Sequence, residues 1–363
     1  MDLDDPGHIV ALHVYLNETW LGAALANEYR KDVFDAGFGN GYSGFWFRNF
    51  TIEILRGRVQ PGDRLRVFLD NDPRHELSNS PLIIDADKLR QVTAAADFSE
   101  NFPGREEPVK FRMYALGGND NIVRKMLDEG LKGYEKPLPT VLYHLLNLFD
   151  GLFLDIGANS GMYSLLATAV GHAPVIAFEP LPLLHDLLLC NLELNGYAKK
   201  IHAERLAISS STGKLKFYIP PSIGEIETSA SLERSFKDKH AEIIDVEAST
   251  LDEYLESRDL ASERVAVIKV DVEGHEPAVL QGSLRTVNTH RPIIITEILP
   301  NSNLGYFDDF KSTQAYTDFV FTDDGMLMPR ETQFHPNQYN HIFIPTEALS
   351  DQVMALLGGI TCK

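Results

Sequence analysis

The sequence predicts a doubly wound α/β sheet preceded by a smaller, all-β N-terminal domain. Three observations carry this expectation. From about residue 110 onward, strand-like apolar runs alternate with helix-like segments, the pattern of an open α/β sheet. FLDIGANSGMYS, residues 153–164, reads as a strand, a glycine-rich turn and a helix start. Residues 8 to about 95 instead alternate short apolar runs (IVALHVYL, GFWFR, LRVFLD, PLIID) with Gly, Asn, Asp and Pro turns, as antiparallel strands of a small sandwich do.

The elements follow in order. Residues 1–96 are expected to form the β-sandwich-like accessory module. Within it DAGFGNGYSGFWF is dense in glycine and aromatic residues, and Trp20 and Trp46 serve either packed turns or a sugar-stacking surface. Residues 97–109 are polar and carry Pro and Gly, and read as a linker. The second domain spans 110–363 and opens with helix over 120–150. Strands follow at 152–156, 174–178 and about 201–207, with helices at 161–170 and through LLHDLLLCNLELNG up to Gly196. An insertion over 209–250 adds two strands, KLKFYI and EIIDVEA, around a polar middle. Strand four is VAVIKVDV, followed by a helix opening at Pro277, and strand five is PIIITEI. Strands near 317–322 and 340–344 complete the sheet.

Composition narrows the classes. The chain has 363 residues, 44% hydrophobic and 23% charged, which suits a folded globular protein of two domains. Its net charge of −19 argues against nucleic acid as partner, since binding a phosphate backbone needs a basic footprint. The two cysteines, Cys190 and Cys362, offer neither a disulfide framework nor metal spacing, and Cys190 reads as a small core residue. No apolar run spans a bilayer and MDLDDPG is no secretory leader, so the expected location is the cytoplasm. The sequence does not set the oligomeric state.

The turn chemistry points to a nucleoside-bearing cofactor. Asp155, Gly157, Asn159 and Gly161 follow strand one, and Glu179 ends strand two, where an acid can accept hydrogen bonds from ribose hydroxyls. A dinucleotide fold would place G-x-G-x-x-G against a pyrophosphate. D-x-G-x-N-x-G instead sets an acid beside the ligand, which suits a cation or an ammonium group. S-adenosylmethionine carries a sulfonium and an ammonium, so the turn favours it over a nicotinamide cofactor. Asp271, Glu273 and His275 follow strand four and Glu297 ends strand five. Acids thus gather at four strand ends, where open α/β sheets bind ligands.

FLDIGANSGMYS, VIAFEP, TLD at 250–252, VIKVDVEGHEPAVLQG at 267–282 and IIITE at 293–297 together resemble the FkbM family of class I S-adenosylmethionine-dependent methyltransferases. The likeness covers about residues 110–345, and NHIFIP at 340–345 is similar to the family's closing strand. It implies a seven-stranded Rossmann-like sheet and O-methylation of a sugar or polyketide hydroxyl. The N-terminal module is similar, more loosely, to β-rich appendages of bacterial polysaccharide-assembly proteins, which tilts the acceptor toward a surface glycan. By the resemblance, Asp155, Gly157, Asn159, Gly161 and Ser164 would surround the cofactor's methionyl side and Glu179 would hold its ribose. Ala207 would lie near the adenine, and Tyr134 and Glu135 would close over the cofactor.

Methyl transfer to a hydroxyl requires an aligned acceptor oxygen and a group that takes its proton. The candidates are Asp271, Glu273, His275, Glu297 and His341. Asp271, Glu273 and Glu297 are alternatively ligands for Mg²⁺, a hard cation that takes oxygen donors. Lys269 lies on the same strand side as Asp271, and burial would require a carboxylate partner, Asp271 or Glu297. Ser229 and Ser231, in the polar stretch 222–240, are acceptor-contact candidates. Three other readings stay open: methylation of a non-sugar alcohol, a glycan-binding or assembly protein with a vestigial cofactor site, and a dehydrogenase.

Overall fold

The computed structural model describes residues 10–26, 28–29, 42–44, 49–69, 72, 74–171, 174–219, 232, 242–322 and 325–360. Trp46, Ser229, Ser231, Cys362 and most of the glycine–aromatic stretch lie outside them. The chain divides into two compact units. One holds the described residues up to Ala95 with Tyr114–Asp120; the other holds Ala96–Met113 and the described residues from Asn121 onward.

The first unit is built on a four-stranded antiparallel sheet in the order Thr19–Leu25, Ala11–Leu16, Arg64–Leu69, Leu82–Ile83. Ala11–Leu16 alternates, burying Leu12, Val14 and Leu16 on one face, as a half-buried strand must. The unit is β-rich, as expected, but it also contains the helices Asn49–Leu55 and Ala86–Thr93. Phe50 and Ile54 of the first and Leu89 and Val92 of the second pack with Leu16, Val59 and Ile84. Asp85 caps the second helix by accepting from the backbone N–H groups of Asp87 and Lys88. Residues expected as linker are partly ordered into a ribbon, Ala95–Glu100 paired with Val109–Tyr114. Trp20 is 55% exposed, and its indole N–H donates to His13 Nδ1 at 3.3 Å.

The second unit carries an eight-stranded sheet. In chain order its strands are β1 (Leu152–Ile156), β2 (Val175–Phe178), β3 (Ile201–Glu204), β4 (Val265–Val270), β5 (Ile293–Glu297), β6 (Tyr316–Thr322), β7 (Gly325–Leu327) and β8 (Asn340–Pro345). The spatial order is β3-β2-β1-β4-β5-β8-β6-β7. β3 through β5 run parallel, and β8 is inserted antiparallel between β5 and β6. The short edge strand β7 is one more than the seven expected. Strand order reverses between β1 and β4, the switch point at which an open sheet leaves a crevice for ligand. The third strand ends at Glu204, earlier than the sequence suggested. Ala207–Ile208 instead pairs with Glu242–Ser249, which pairs antiparallel with Gly213–Ile219.

Helices cover both faces, so the central strands are buried on both sides and read as continuous apolar runs. All of LFLDI and VAVIKV is buried. Leu154, Ile268, Ile294 and Phe343 join one core cluster with Val279, Val287, Phe307 and Phe310 from the helical layer. Truncating one such side chain to alanine is expected to cost about 2–5 kcal/mol. The polar exceptions, Asp155, Lys269, Thr296 and Glu297, sit toward the carboxyl ends of these strands. Among the described residues no helix is long and apolar enough to cross a membrane.

Candidate active site

A cavity of about 350 Å³ opens at the carboxyl ends of β1, β2, β4 and β5, with Gly157, Asn159, Glu179, Lys269, Asp271 and Glu297 among its lining residues. Its floor is the turn after β1. Gly157 adopts φ +82°, and a Cβ there would fall 1.8 Å from the carbonyl oxygen of Asp271. Only glycine lets the two turns approach this closely. Asn159 is also left-handed, at φ 54°. Gly161, at φ 99°, starts the helix Met162–Val170 and leaves no room for a Cβ beside Leu188.

Glu179 is held from two directions: it accepts from the backbone N–H of Asn159 at 2.9 Å and of Leu181 at 2.8 Å. Burial nevertheless pushes its carboxyl up to about 7, against the pull of those two donors. Ala207 lines the same pocket beside Leu206 and Ile208. Glu135 lines the opposite wall, has φ 45°, and accepts from Tyr163 Oη at 2.7 Å. Burial raises its pKa, and the nearby charge of Asp271 raises it further, while Lys269 works the other way.

The cation at the centre is Lys269. Its Nζ donates to Asp271 Oδ2 at 2.9 Å and lies 4.7 Å from the centre of the Tyr163 ring. Burial alone would lower its pKa, but Asp271, Asp155 and Glu135 outweigh that and hold it above the ordinary range. Glu297 lies at the same end of the pocket. Burial raises its carboxyl well above the usual value, Asp271 and Glu273 add to the shift, and its Oε2 is buried without a hydrogen-bond partner.

The structure corrects several placements. Asp155 and Ser164 lie behind the floor instead of on the pocket wall: both are fully buried, and Ser164 Oγ donates to Asp155 Oδ2 at 2.6 Å. Gly161 acts through helix packing and is likewise off the wall. His275 turns away from the pocket toward Ser209, with Nε2 to Oγ at 2.9 Å. His341 is buried on the far side of β8, where its Nδ1 meets Asp318 Oδ1 at 2.9 Å. The register explains it: Thr296 pairs with His341 and Glu297 with Asn340, so Asn340, not His341, shares the pocket side with Glu297. Asp271, Glu273 and Glu297 line the same pocket, and Lys269 donates to one oxygen of Asp271. Among the described residues no group of three or more His, Cys, Asp or Glu is arranged to hold a metal ion.

Three contributors escaped the sequence reading. Tyr163, in GMYS, and Asn340, in NHIFIP, lie within the motifs, where a tyrosine on an apolar helix and an asparagine at a strand start do not by themselves signal a site. Glu276 is fully buried and its Oε1 accepts from the N–H groups of both Val272 and Gly274, at 3.1 and 3.2 Å, pinning the turn on either side of Glu273.

The geometry meets an independent finding here. Residues 155–321 match the family described as the methyltransferase FkbM domain. Methyltransferase sdnD of Sordaria araneosa is 32% identical over 164 residues, covering 39% of this chain and 63% of the fungal protein. The hexuronic acid methyltransferase AglP of Haloferax volcanii is 28% identical over 210 residues, 57% of this chain and 73% of its own. A crystal structure of methyltransferase FkbM from Methylobacillus flagellatus is similar at 14% identity and a TM-score of 0.35, over 54% of this chain and 43% of that one. The chain thus spans less than two thirds of the fungal relative's length.

Proposed function

We propose that this protein is an S-adenosylmethionine-dependent O-methyltransferase whose acceptor is a hydroxyl, of a sugar in a glycan or glycoconjugate. The observation that carries the reading is the wall of the pocket. Five carboxyl residues, Glu135, Glu179, Asp271, Glu273 and Glu297, outnumber two lysines, Lys125 and Lys269, in its lining, over a floor that admits no side chain at Gly157. A wall of carboxyl groups suits a sulfonium and an ammonium and opposes a pyrophosphate. The residues therefore fit S-adenosylmethionine: Glu179 for the ribose, the 157–159 turn for the methionyl portion, and Leu206–Ile208 against the base.

When bound, the cofactor supplies an electrophilic methyl group. The protein's own work is to bring an acceptor oxygen into line and to take its proton. Glu297 is the group we assign to the proton. Burial, with Asp271 and Glu273 close by, raises its carboxyl well above the usual range, and a cation in the pocket favours its ionised form. Lys269 holds the Asp271 carboxylate in place through its hydrogen bond; it is a positioning residue. The hexuronic acid methyltransferase, whose likeness covers 57% of this chain, supports a sugar ring as acceptor but not the charge of that ring. The same reading makes residues 1–96 an accessory module to a methyltransferase domain beginning near 110.

Calorimetric titration with S-adenosylhomocysteine tests it, on the full chain and on Glu179→Ala. Binding by the wild type that is lost in the variant supports the reading. No binding by the wild type overturns it and brings the glycan-binding alternative forward.

A further inference from the structure

A second cavity, of about 370 Å³, adjoins the first and shares Glu273 with it. It lies between the turn after β4 and the start of the helix Leu304–Gln314. Besides Glu273, its polar lining includes His275, Gln281, Asn301 and Ser302, and Tyr306 gives it an aromatic wall. No lysine or arginine is among the described residues that line it.

We propose that this cleft is the acceptor subsite, that it takes an uncharged polyhydroxylated ring, and that it discriminates against anionic sugars. The inference rests on the methyltransferase reading for its purpose, and on the cleft's own chemistry for its ligand. Amide and hydroxyl side chains both donate and accept, which matches the alternating needs of neighbouring hydroxyls. Gln281 and Asn301 are exposed at the rim, and half-buried Tyr306 offers an apolar ring to stack on. A phosphate or a uronate would require a cation to offset its desolvation, and none of the described residues lining the cleft is a lysine or an arginine. It supplies the opposite charge, from Glu273.

The position of Glu273 joins the two cavities. It has φ +56°, a conformation that costs a non-glycine residue free energy and persists only where neighbours enforce it. Glu276 enforces it by binding the backbone N–H on each side. The backbone of Glu273, a residue that lines both the first cavity and the cleft, is thereby held in place. A neutral acceptor meets one hydrogen-bond acceptor there; a uronate meets a like charge.

The test is saturation-transfer NMR on the full chain, with and without S-adenosylhomocysteine. The probes are methyl α-D-mannopyranoside, methyl α-D-galactopyranoside, methyl β-D-glucopyranoside and the matched methyl β-D-glucopyranosiduronate. At least one neutral glycoside is expected to bind, with the uronate about tenfold weaker or undetected. Tyr306→Ala should weaken the neutral probe about tenfold while leaving S-adenosylhomocysteine affinity unchanged. Gln281→Arg, at an exposed position, should raise uronate binding. The proposal is overturned if the uronate binds wild type as well as the neutral glycosides do, if Tyr306→Ala changes nothing, or if no glycoside binds under either condition. Glycoside binding at the cleft in a protein that does not bind S-adenosylhomocysteine would instead sink the methyltransferase reading and leave the cleft assignment standing.

Discussion

Lys269 stands opposite Asp155 in the parallel register of β4 and β1, and its ammonium reaches past the strand end to Asp271 at 2.9 Å. One buried cation thus connects an acid behind the pocket floor with one on the pocket wall. Taking either partner away leaves an uncompensated charge in a low-dielectric setting. Lys269→Met should therefore destabilise the protein by about 3–5 kcal/mol, although methionine fills nearly the same volume. Urea denaturation measures this. A loss below about 1 kcal/mol, with S-adenosylhomocysteine affinity intact, would show that the acids here are neutral and need no partner.

Gly157 offers a sharper structural test. Its φ of +82° strains any other residue, and a Cβ would overlap the Asp271 carbonyl. Gly157→Ala must therefore push apart the turns after β1 and β4, the two segments that meet at the pocket. Backbone strain alone costs about 1–3 kcal/mol. The expected result is loss of S-adenosylhomocysteine binding with far-ultraviolet circular dichroism preserved. Wild-type affinity in the variant would show that the floor does not touch the cofactor.

How far the sequence revealed these features depends on which physical signal each residue leaves. Gly157 and Glu179 were legible because a glycine after an apolar run and an acid at a strand end have few other purposes. Lys269 was legible because a lysine amid VAVIKV demands a partner. The helix Asn49–Leu55 was not, because Phe50, Ile52 and Ile54 alternate with period two and mimic a strand until Leu89 and Val92 pack beside them. His341 and Asn340 are neighbours in sequence, and only the pairing of β8 with β5 decides which one faces the pocket. Asp155 was correctly placed at a strand end, yet depth is a tertiary property: the seryl hydroxyl of Ser164 claims it from within the fold.

Glu276 makes stability depend on pH with an unusual sign. Burial raises its carboxyl from the ordinary 4.5 to about 7. The folded state therefore binds a proton more tightly than the unfolded chain does. Its stabilising contribution is complete below about 4.5 and is lost as pH rises through about 7. Glu179, raised to about 7 as well, acts in the same direction. Glu276→Gln keeps an oxygen for Val272 and Gly274 and places its amide where Oε2 has no partner. The variant should flatten the stability profile between pH 5 and 8 by up to about 3 kcal/mol relative to wild type. Denaturant titrations at a series of pH values report this directly, and superimposable slopes would refute the titration of Glu276.

Glu297 separates binding from chemistry. Its Oε2 is buried, without a hydrogen-bond partner, at the end of β5, beside Asn340 across the antiparallel pair. A group assigned to take the acceptor's proton should be dispensable for cofactor binding and needed for turnover. Glu297→Gln, nearly isosteric, is expected to retain S-adenosylhomocysteine affinity while methyl transfer falls about 10²–10⁴-fold. Single-turnover transfer from S-adenosylmethionine to an accepted glycoside makes the comparison, because it excludes product release. The residual rate should also lose the wild type's dependence on pH, since the variant has no proton to shed at that position. Equal loss of affinity and rate would make Glu297 a binding residue, and the proton would then fall to Glu273 at the mouth of the cleft.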